Sequence, residues 1–153
     1  MDERLAANFW LSELLVSDDA VRLGIDNRPN AKALANVRNV LAPGLQRIRD
    51  LLGRPVLVSS GYRSEALNVH VGGSATSQHR FGQAADFRAP DFGDPKTICR
   101  AIMDAAAKIN FDQLIWEGRW VHCSFAAPGV PPRGQVLTAT FSGRKANYTP
   151  GLV

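Results

Sequence analysis

Three polar residues lie in sequence settings that favour metal binding. His79 lies in a polar loop, and seven residues later Asp86 interrupts the otherwise apolar segment Ala84–Phe87. His122 likewise interrupts an apolar segment. A carboxylate is costly to bury there unless it is paired or bound to a metal. Two histidines and a carboxylate can hold a catalytic zinc ion and leave the fourth position to water. On spacing alone, separate structural roles remain the alternative, because the chain has no HExxH motif.

The surrounding residues extend this pattern into three motifs. Ser77–Asp86 resembles the SxHxxGxAxD motif of the zinc D-Ala-D-Ala carboxypeptidase and L-alanyl-D-glutamate endopeptidase family. Trp120–His122 resembles the segment that carries that family's third ligand, and Ser60–Ser64 (SGYRS) resembles its upstream segment. The likeness runs from Phe9 to about Phe125 and is closest to the compact phage and prophage branch. Three motifs in the same order make the resemblance specific.

The resemblance implies a role for each matching residue. His79, Asp86 and His122 are expected to bind one zinc ion per chain. Arg63 is expected to bind a substrate carboxylate or the oxyanion that develops at the scissile carbonyl, because its fixed charge and forked donors suit either task. The alternative for Arg63 is a surface ion pair.

Further residues are expected to line the substrate site. Ser77 and Gln78 precede the first ligand and can donate hydrogen bonds to the substrate or to the ligands. Trp120 is two residues from His122, so strand alternation places both on one face, and we expect Trp120 to border the cleft. Trp10 and Trp116 are interpreted as core residues, and His70 as a surface or substrate-proximal residue.

The general base is the point at which the chain departs from its relatives. Many relatives carry the acid three residues before the last histidine, but this position is Arg119 here. The nearest acids are Glu117 and Asp112. If residues 118–119 form a two-residue hairpin turn, Glu117 lies on the same face as His122, and Asp112 lies on the other. We therefore predict Glu117 as the base, with Asp112 as the alternative.

Hydrophobic periodicity predicts an α+β fold that positions these residues. The resemblance makes it hedgehog/DD-peptidase-like, with a small antiparallel sheet and helices packed on it. Helices are expected after the N-cap residues Ser17, Asn30, Ser64 and Asp94. Pro43 should kink or split the long helix between Asn30 and Gly53. Strands are expected at 55–59, 83–87, 113–117, 120–125 and 135–141.

Length and composition bound the domain organisation. The 153 residues are 45% hydrophobic and 21% charged, which predicts one globular domain over 1–153. Its core should cover about 9–141, with a polar C-terminal tail at 142–153 in loop conformation. Cys99 and Cys123 form no CxxC pair and are predicted to be free, buried thiols. No apolar run is long enough for stable membrane insertion.

The net charge of +4 suits an anionic partner. The basic residues are scattered, which argues against nucleic acid and favours bacterial peptidoglycan. The polar start lacks a secretory signal, so we expect synthesis in the cytoplasm and access to the wall, in the periplasm, through a separate pore.

The predicted function is a monomeric zinc metallopeptidase that cuts peptidoglycan stem peptides, an endolysin of a bacteriophage or prophage. The expected cut is at L-Ala-D-Glu, and a D,D-carboxypeptidase cut is the second choice. Two rival functions remain at this point. One is a non-catalytic zinc-bearing binding module of the same fold, and the other is a basic nucleic-acid-binding protein.

Overall fold

Helices dominate the first half of the chain and strands the second in the computed structural model, which describes residues 1–153. The α-helices are α1 (Leu11–Leu15), α2 (Asp18–Leu23), α3 (Ala31–Asn36), α4 (Ala42–Leu52), α5 (Glu65–His70), α6 (Pro95–Asp104) and α7 (Ala106–Ile109). The strands are β1 (Arg4–Ala6), β2 (Phe9–Trp10), β3 (Leu57–Ser60), β4 (Ala84–Arg88), β5 (Gln113–Trp116), β6 (Val121–Ser124), β7 (Gln135–Ser142) and β8 (Lys145–Pro150). The predicted α+β class is confirmed.

The main sheet has six strands in the order β3-β4-β6-β5-β7-β8. All neighbours are antiparallel except β5 and β7, which are parallel. The sheet is therefore larger than predicted, and it is mixed. β6 is already paired on both edges, with β4 and β5, and β7 joins the sheet at the free edge of β5. The strands β1 and β2 form a separate two-stranded sheet.

The prediction of a loop from residue 142 onward is wrong. Residues Lys145–Pro150 form β8, which pairs with β7 as the edge strand of the sheet. Nearly all of its residues are exposed, so the strand shows no apolar alternation that would reveal it in the sequence. Backbone pairing with β7, rather than burial of β8 side chains, holds this segment in place.

The predicted long helix between Asn30 and Gly53 forms, and its geometry changes ahead of Pro43. Residues Val37–Leu41 make a π-helical turn between α3 and α4, in which the Ala42 N–H donates to the Val37 carbonyl. Proline has no N–H and its ring crowds the preceding turn, so a local widening of the helix accommodates it. The apolar side chains of this helical segment still face the core: Val37, Leu41, Leu45, Ile48 and Leu52.

The core lies between the helices and one face of the sheet. Alternation along β4, β6 and β5 directs one set of side chains into this core: Ala85, Phe87, Leu114, Val121 and Cys123. The opposite set faces away from the core on the other side of the sheet. Within that set, Asp86 is directly opposite His122, and His122 is directly opposite Ile115. The sheet therefore separates the stabilising core from the polar residues of the site.

Several smaller predictions can be compared with the structure. Cys99 and Cys123 are free and buried, as predicted. The core prediction for Trp10 is wrong, because 42% of this residue is exposed. Trp10 lies at the start of α1, where its backbone N–H donates to the carboxylate of Glu13 and the guanidinium of Arg4 lies over its ring. His70 is exposed at the end of α5. None of the helices combines the length and apolar character that crossing a membrane requires.

Candidate metal centre and the cleft around it

His79, Asp86 and His122 converge on one point, although they come from three different elements. His79 lies in a 3-10 helix (Gln78–Phe81), Asp86 in β4 and His122 in β6. The His79 Nε2 atom lies 3.2 Å from Asp86 Oδ1, and His122 Nδ1 lies 3.0 Å from the same oxygen. The donor atoms of the three side chains all lie within 4.8 Å of one another. All three residues are buried.

The backbone fixes this convergence. Asp86 and His122 are direct partners in the β4–β6 ladder, so their side chains leave the same face of the sheet side by side. His79 is brought to them by the 3-10 helix, which is capped by Ser77 and ends at Gly82 with φ of 72°. At Gly82 a Cβ would collide with the carbonyl oxygen of Ala33 in α3. A glycine is therefore required there, both for the backbone conformation and for the close approach.

The ring of His79 is held by a backbone carbonyl. Its Nδ1–H donates to the carbonyl oxygen of Gly61 at 2.7 Å, which leaves Nε2 directed at Asp86. Burial lowers the pKa of His79, so the neutral ring is favoured. A neutral imidazole with one nitrogen fixed by a carbonyl is the form in which histidine binds metals. No sequence pattern indicated this role for Gly61, because a backbone carbonyl carries no side-chain signal.

The carboxylate of Asp86 is charged and fully paired. Burial raises its pKa, but the polar contacts of the carboxylate, among them the hydrogen bond with His122, outweigh this, so the pKa lies well below its usual range. Arg63 Nη2 donates to Asp86 Oδ2 at 3.1 Å. The guanidinium of Arg63 is in turn held by Ser60 Oγ at 3.1 Å and Asn68 Oδ1 at 3.4 Å. Arg63 thus makes a largely buried ion pair rather than a surface one.

The donor set fits a zinc ion. Tetrahedral zinc with ligands at about 2.0–2.1 Å holds its donor atoms ~3.4 Å apart. The carboxylate oxygen of Asp86 lies 3.2 and 3.0 Å from the two imidazole nitrogens, close to that spacing. Two imidazole nitrogens and one carboxylate oxygen also match zinc's chemical preference. This group can therefore hold one metal ion without rearrangement of the backbone.

A cavity of about 560 Å³ opens over these three residues. Its lining includes all the residues predicted for catalysis and substrate binding: Arg63, Ser77, Gln78, Glu117 and Trp120. The indole N–H of Trp120 is buried and has no hydrogen-bond partner. The side chain of Trp120 acts on the carboxyl group of Glu117, whose pKa it lowers slightly, so these two residues lie together in the cavity wall.

Glu117 lies on the cavity side of the β5–β6 hairpin. Its N–H donates to the Trp120 carbonyl at 3.0 Å, and Ile115 is directly opposite His122, which is the register predicted from the sequence. Gly118 in the turn has φ of 80°, which favours glycine. Burial, followed by the charge of Asp86, raises the pKa of Glu117. The carboxyl group is therefore easier to protonate than an exposed glutamate.

Asp112 is in a different environment. Its carboxylate accepts hydrogen bonds from Gln78 Nε2 at 2.9 Å and from Nε, Nη2 and the backbone N–H of Arg133. It does not line the cavity. Burial raises the pKa of Asp112, but the hydrogen bonds from Arg133 and Gln78 outweigh it, and the pKa lies below its usual value.

Part of the cavity wall comes from residues that the sequence analysis did not identify. They belong to the β7–β8 hairpin and its turn: Leu137, Phe141, Arg144, Ala146 and Tyr148. Arg133, which precedes β7, also lines the cavity. No local pattern could indicate them, because they reach the site only through the parallel pairing of β7 with β5.

Comparison with known proteins places the site in a family. A family model described as Peptidase M15 matches residues 7–124. A zinc D-Ala-D-Ala carboxypeptidase from Streptomyces albus G is 36% identical over 75 residues. That alignment covers 48% of this chain and 28% of the relative, so the chain spans well under two thirds of the relative's length. Because the family match covers most of the chain and contains all three residues of the candidate metal centre, the chain belongs to the Peptidase M15 family.

Proposed function

We propose that His79, Asp86 and His122 hold one zinc ion and that the protein hydrolyses a peptide bond in the stem peptides of bacterial peptidoglycan. The observation that carries this proposal is the convergence of the three ligands beneath a cavity that also contains the carboxyl group of Glu117. When bound, zinc supplies an activated water and a Lewis acid for the scissile carbonyl. The protein's own residues supply the proton transfers and the orientation of the substrate.

Glu117 is the general base of this proposal. It faces the cavity from the hairpin that also carries His122, and its carboxyl group is largely surrounded by protein. A raised pKa suits a group that accepts a proton from water and then donates it to the leaving amine. Asp112 is poorly suited to this role, because Arg133 and Gln78 occupy its oxygens.

Arg63 has two functions in the proposal. It fixes the orientation of Asp86 through the hydrogen bond between Nη2 and Oδ2. It also lines the cavity, so its positive charge can stabilise a substrate carboxylate or the oxyanion formed at the scissile carbonyl. Ser77, Gln78 and Trp120 line the same cavity and contact the peptide in this proposal.

The proposed cut is between L-alanine and D-glutamate, by a phage or prophage lysis enzyme that acts as a monomer on the cell wall. The likeness of the motifs to the compact phage branch supports this choice. A D,D-carboxypeptidase cut is the second choice, supported by the name of the Streptomyces relative. The net charge of +4 suits association with an anionic wall polymer.

Digestion of purified peptidoglycan tests the proposal. We expect new amino groups, mass spectra that show a cut stem peptide, loss of activity with a chelator and recovery with zinc. The masses of the products distinguish the endopeptidase from the carboxypeptidase. New reducing sugar ends without new amino groups would contradict the proposal. Zinc binding and wall binding without any cleavage would instead indicate a non-catalytic binding module.

A further inference from the structure

A second polar network lies at the edge of the cavity, beside the metal centre. Its centre is Asp112, whose side chain is only 7% exposed. Arg133 donates to this carboxylate from Nε at 3.1 and 3.2 Å and from Nη2 at 2.7 Å, and its backbone N–H adds a bond of 2.8 Å. Gln78, the residue before the ligand His79, donates to it at 2.9 Å. The network therefore connects the cavity edge directly to the 3-10 helix that carries His79.

This arrangement orients the guanidinium of Arg133 toward a ligand. Of the three guanidinium nitrogens, Nε and Nη2 donate to Asp112, and Nη2 also lies 3.5 Å from Gln78 Oε1. The third nitrogen, Nη1, makes no hydrogen bond within the protein. The side chain is 54% exposed and lines the cavity. An arginine held in one orientation loses little entropy when it binds an anion, and its planar donors match a carboxylate. Arg133 also lies outside the segment matched by the Peptidase M15 family model.

We propose that Arg133, fixed by Asp112 and Gln78, is a specificity-determining residue that binds a free carboxylate of the stem peptide. This inference rests on the proposed function and names the part of the substrate that is recognised. D-glutamate in the stem is linked onward through its side chain, so its α-carboxylate stays free beside the proposed cut. Arg63 already pairs with the buried carboxylate of Asp86, whereas Nη1 of Arg133 makes no hydrogen bond within the protein.

Two stem peptides test this proposal, one with the D-glutamate α-carboxylate free and one with it converted to a carboxamide. For the wild-type protein we expect a lower KM for the free carboxylate. Arg133→Ala should raise that KM about 10- to 100-fold, the change expected when a charge-assisted hydrogen bond is lost. The KM for the carboxamide and both kcat values should change less than about threefold. Arg133→Lys keeps the positive charge but loses the paired guanidinium donors. This variant should therefore keep only part of the preference for the free carboxylate over the carboxamide.

Arg28→Ala is the matched control. Arg28 makes a similar forked pair with Asp26, but it lies outside the cavity. The Arg28→Ala variant should leave the KM values for both peptides unchanged. Equal losses on both peptides in Arg133→Ala and Arg133→Lys, or no loss on either peptide, would overturn the proposal.

A binding measurement separates this inference from the proposed function. Uncleavable analogues of the two peptides, one with the free carboxylate and one with the carboxamide, are titrated into wild-type and Arg133→Ala protein. Calorimetry gives the Kd of each peptide for each protein. If neither peptide is hydrolysed but the Kd still rises in Arg133→Ala, the proposed function fails and the carboxylate site stands. If the peptides are hydrolysed but the Kd and KM do not depend on the carboxylate, the carboxylate site fails and the proposed function stands. Absence of binding by either peptide overturns the carboxylate site.

Discussion

The two sides of the cleft are built in different ways. The metal side consists of His79, Asp86 and His122, which are buried and held by the central strands β4 and β6 and by the Gly61 carbonyl. The opposite side is the β7–β8 hairpin, the edge of the sheet, where Phe141 is 48% and Tyr148 is 54% exposed. The family match covers the metal side and ends at residue 124, before the hairpin begins.

In the proposed function, this difference separates chemistry from substrate choice. His79 and His122 both contact Asp86 Oδ1, and Asp86 is the ladder partner of His122, so a change at one of these residues disturbs the others. Exposed side chains on an edge hairpin can change without loss of the core, because they bury little apolar surface. We therefore expect changes on the metal side to affect metal binding and kcat, and changes on the hairpin side to affect KM.

The largest effect is expected for removal of a metal ligand. His79→Ala and His122→Ala should each reduce bound zinc from near one per chain and abolish peptidoglycan cleavage, because each leaves only two protein ligands. The fall in zinc content should be accompanied by a lower melting temperature under excess zinc, since a bound metal stabilises the folded state. Elemental analysis and thermal unfolding measure both effects.

The third histidine provides the control for this prediction. His70 is exposed on α5 and has no part in the ligand group, so His70→Ala should keep its zinc and its activity. Unchanged zinc content in both ligand variants would show that the metal, if any, is bound elsewhere.

The next largest effect is expected for the proposed base. Glu117→Gln should keep zinc and fold but reduce kcat ~10²–10⁴-fold, the usual cost of losing a positioned acid or base. Asp112→Asn should reduce kcat far less, because that carboxylate faces Arg133 and Gln78 rather than the cavity. Steady-state kinetics on a defined stem peptide provide the comparison. The reverse ranking would make Asp112 the base.

A smaller effect is expected on the hairpin side. Phe141→Ala and Tyr148→Ala each remove an aromatic surface from the cavity wall, so KM should rise by about 3- to 30-fold, equivalent to about 0.7–2 kcal/mol of lost contact. The value of kcat should change little, and so should the free energy of unfolding. A fall in kcat with unchanged KM would show that the hairpin takes part in the chemistry, and that the separation between the two sides is incorrect.

The last effect concerns stability and its dependence on pH rather than turnover or substrate binding. The pKa of Asp112 is lowered in the folded protein, so its ionised form stabilises the fold at pH values above its unfolded pKa of 3.8. Asp112→Asn should therefore lower the free energy of unfolding near neutral pH by about 1–3 kcal/mol. The difference should shrink as the pH falls through 3.8 and toward the lower folded pKa. Urea titrations at several pH values measure it, and a difference that grows in acid would be inconsistent with this pairing.

The sequence was sufficient where local patterns determine position. Strand alternation and a two-residue turn predicted that Glu117 and His122 share a face, and the β5–β6 register matches. The N-caps Ser17, Asn30, Ser64 and Asp94 each accept the predicted backbone hydrogen bond.

These local patterns do not determine which strands pair over long sequence distances. The edge strand β8 has almost no buried side chains, so only its partner β7 determines it. The contact of Arg133 with Asp112 spans 21 residues and depends on where β7 begins. The number of strands in the main sheet and the hairpin side of the cleft were not predicted for the same reason.

The crowding at Gly82 has a consequence for sequence variation. The residue combines a φ of 72° with an approach to α3 that leaves no room for a Cβ, and it lies between two ligands of the metal centre. Gly143 has a similar φ of 64° but open space around it. Saturation mutagenesis should therefore accept asparagine or aspartate at position 143, since these residues tolerate such a conformation, and reject every side chain at position 82. Two glycines with nearly the same backbone torsion would thus differ in the substitutions they tolerate: none at position 82, and asparagine or aspartate at position 143.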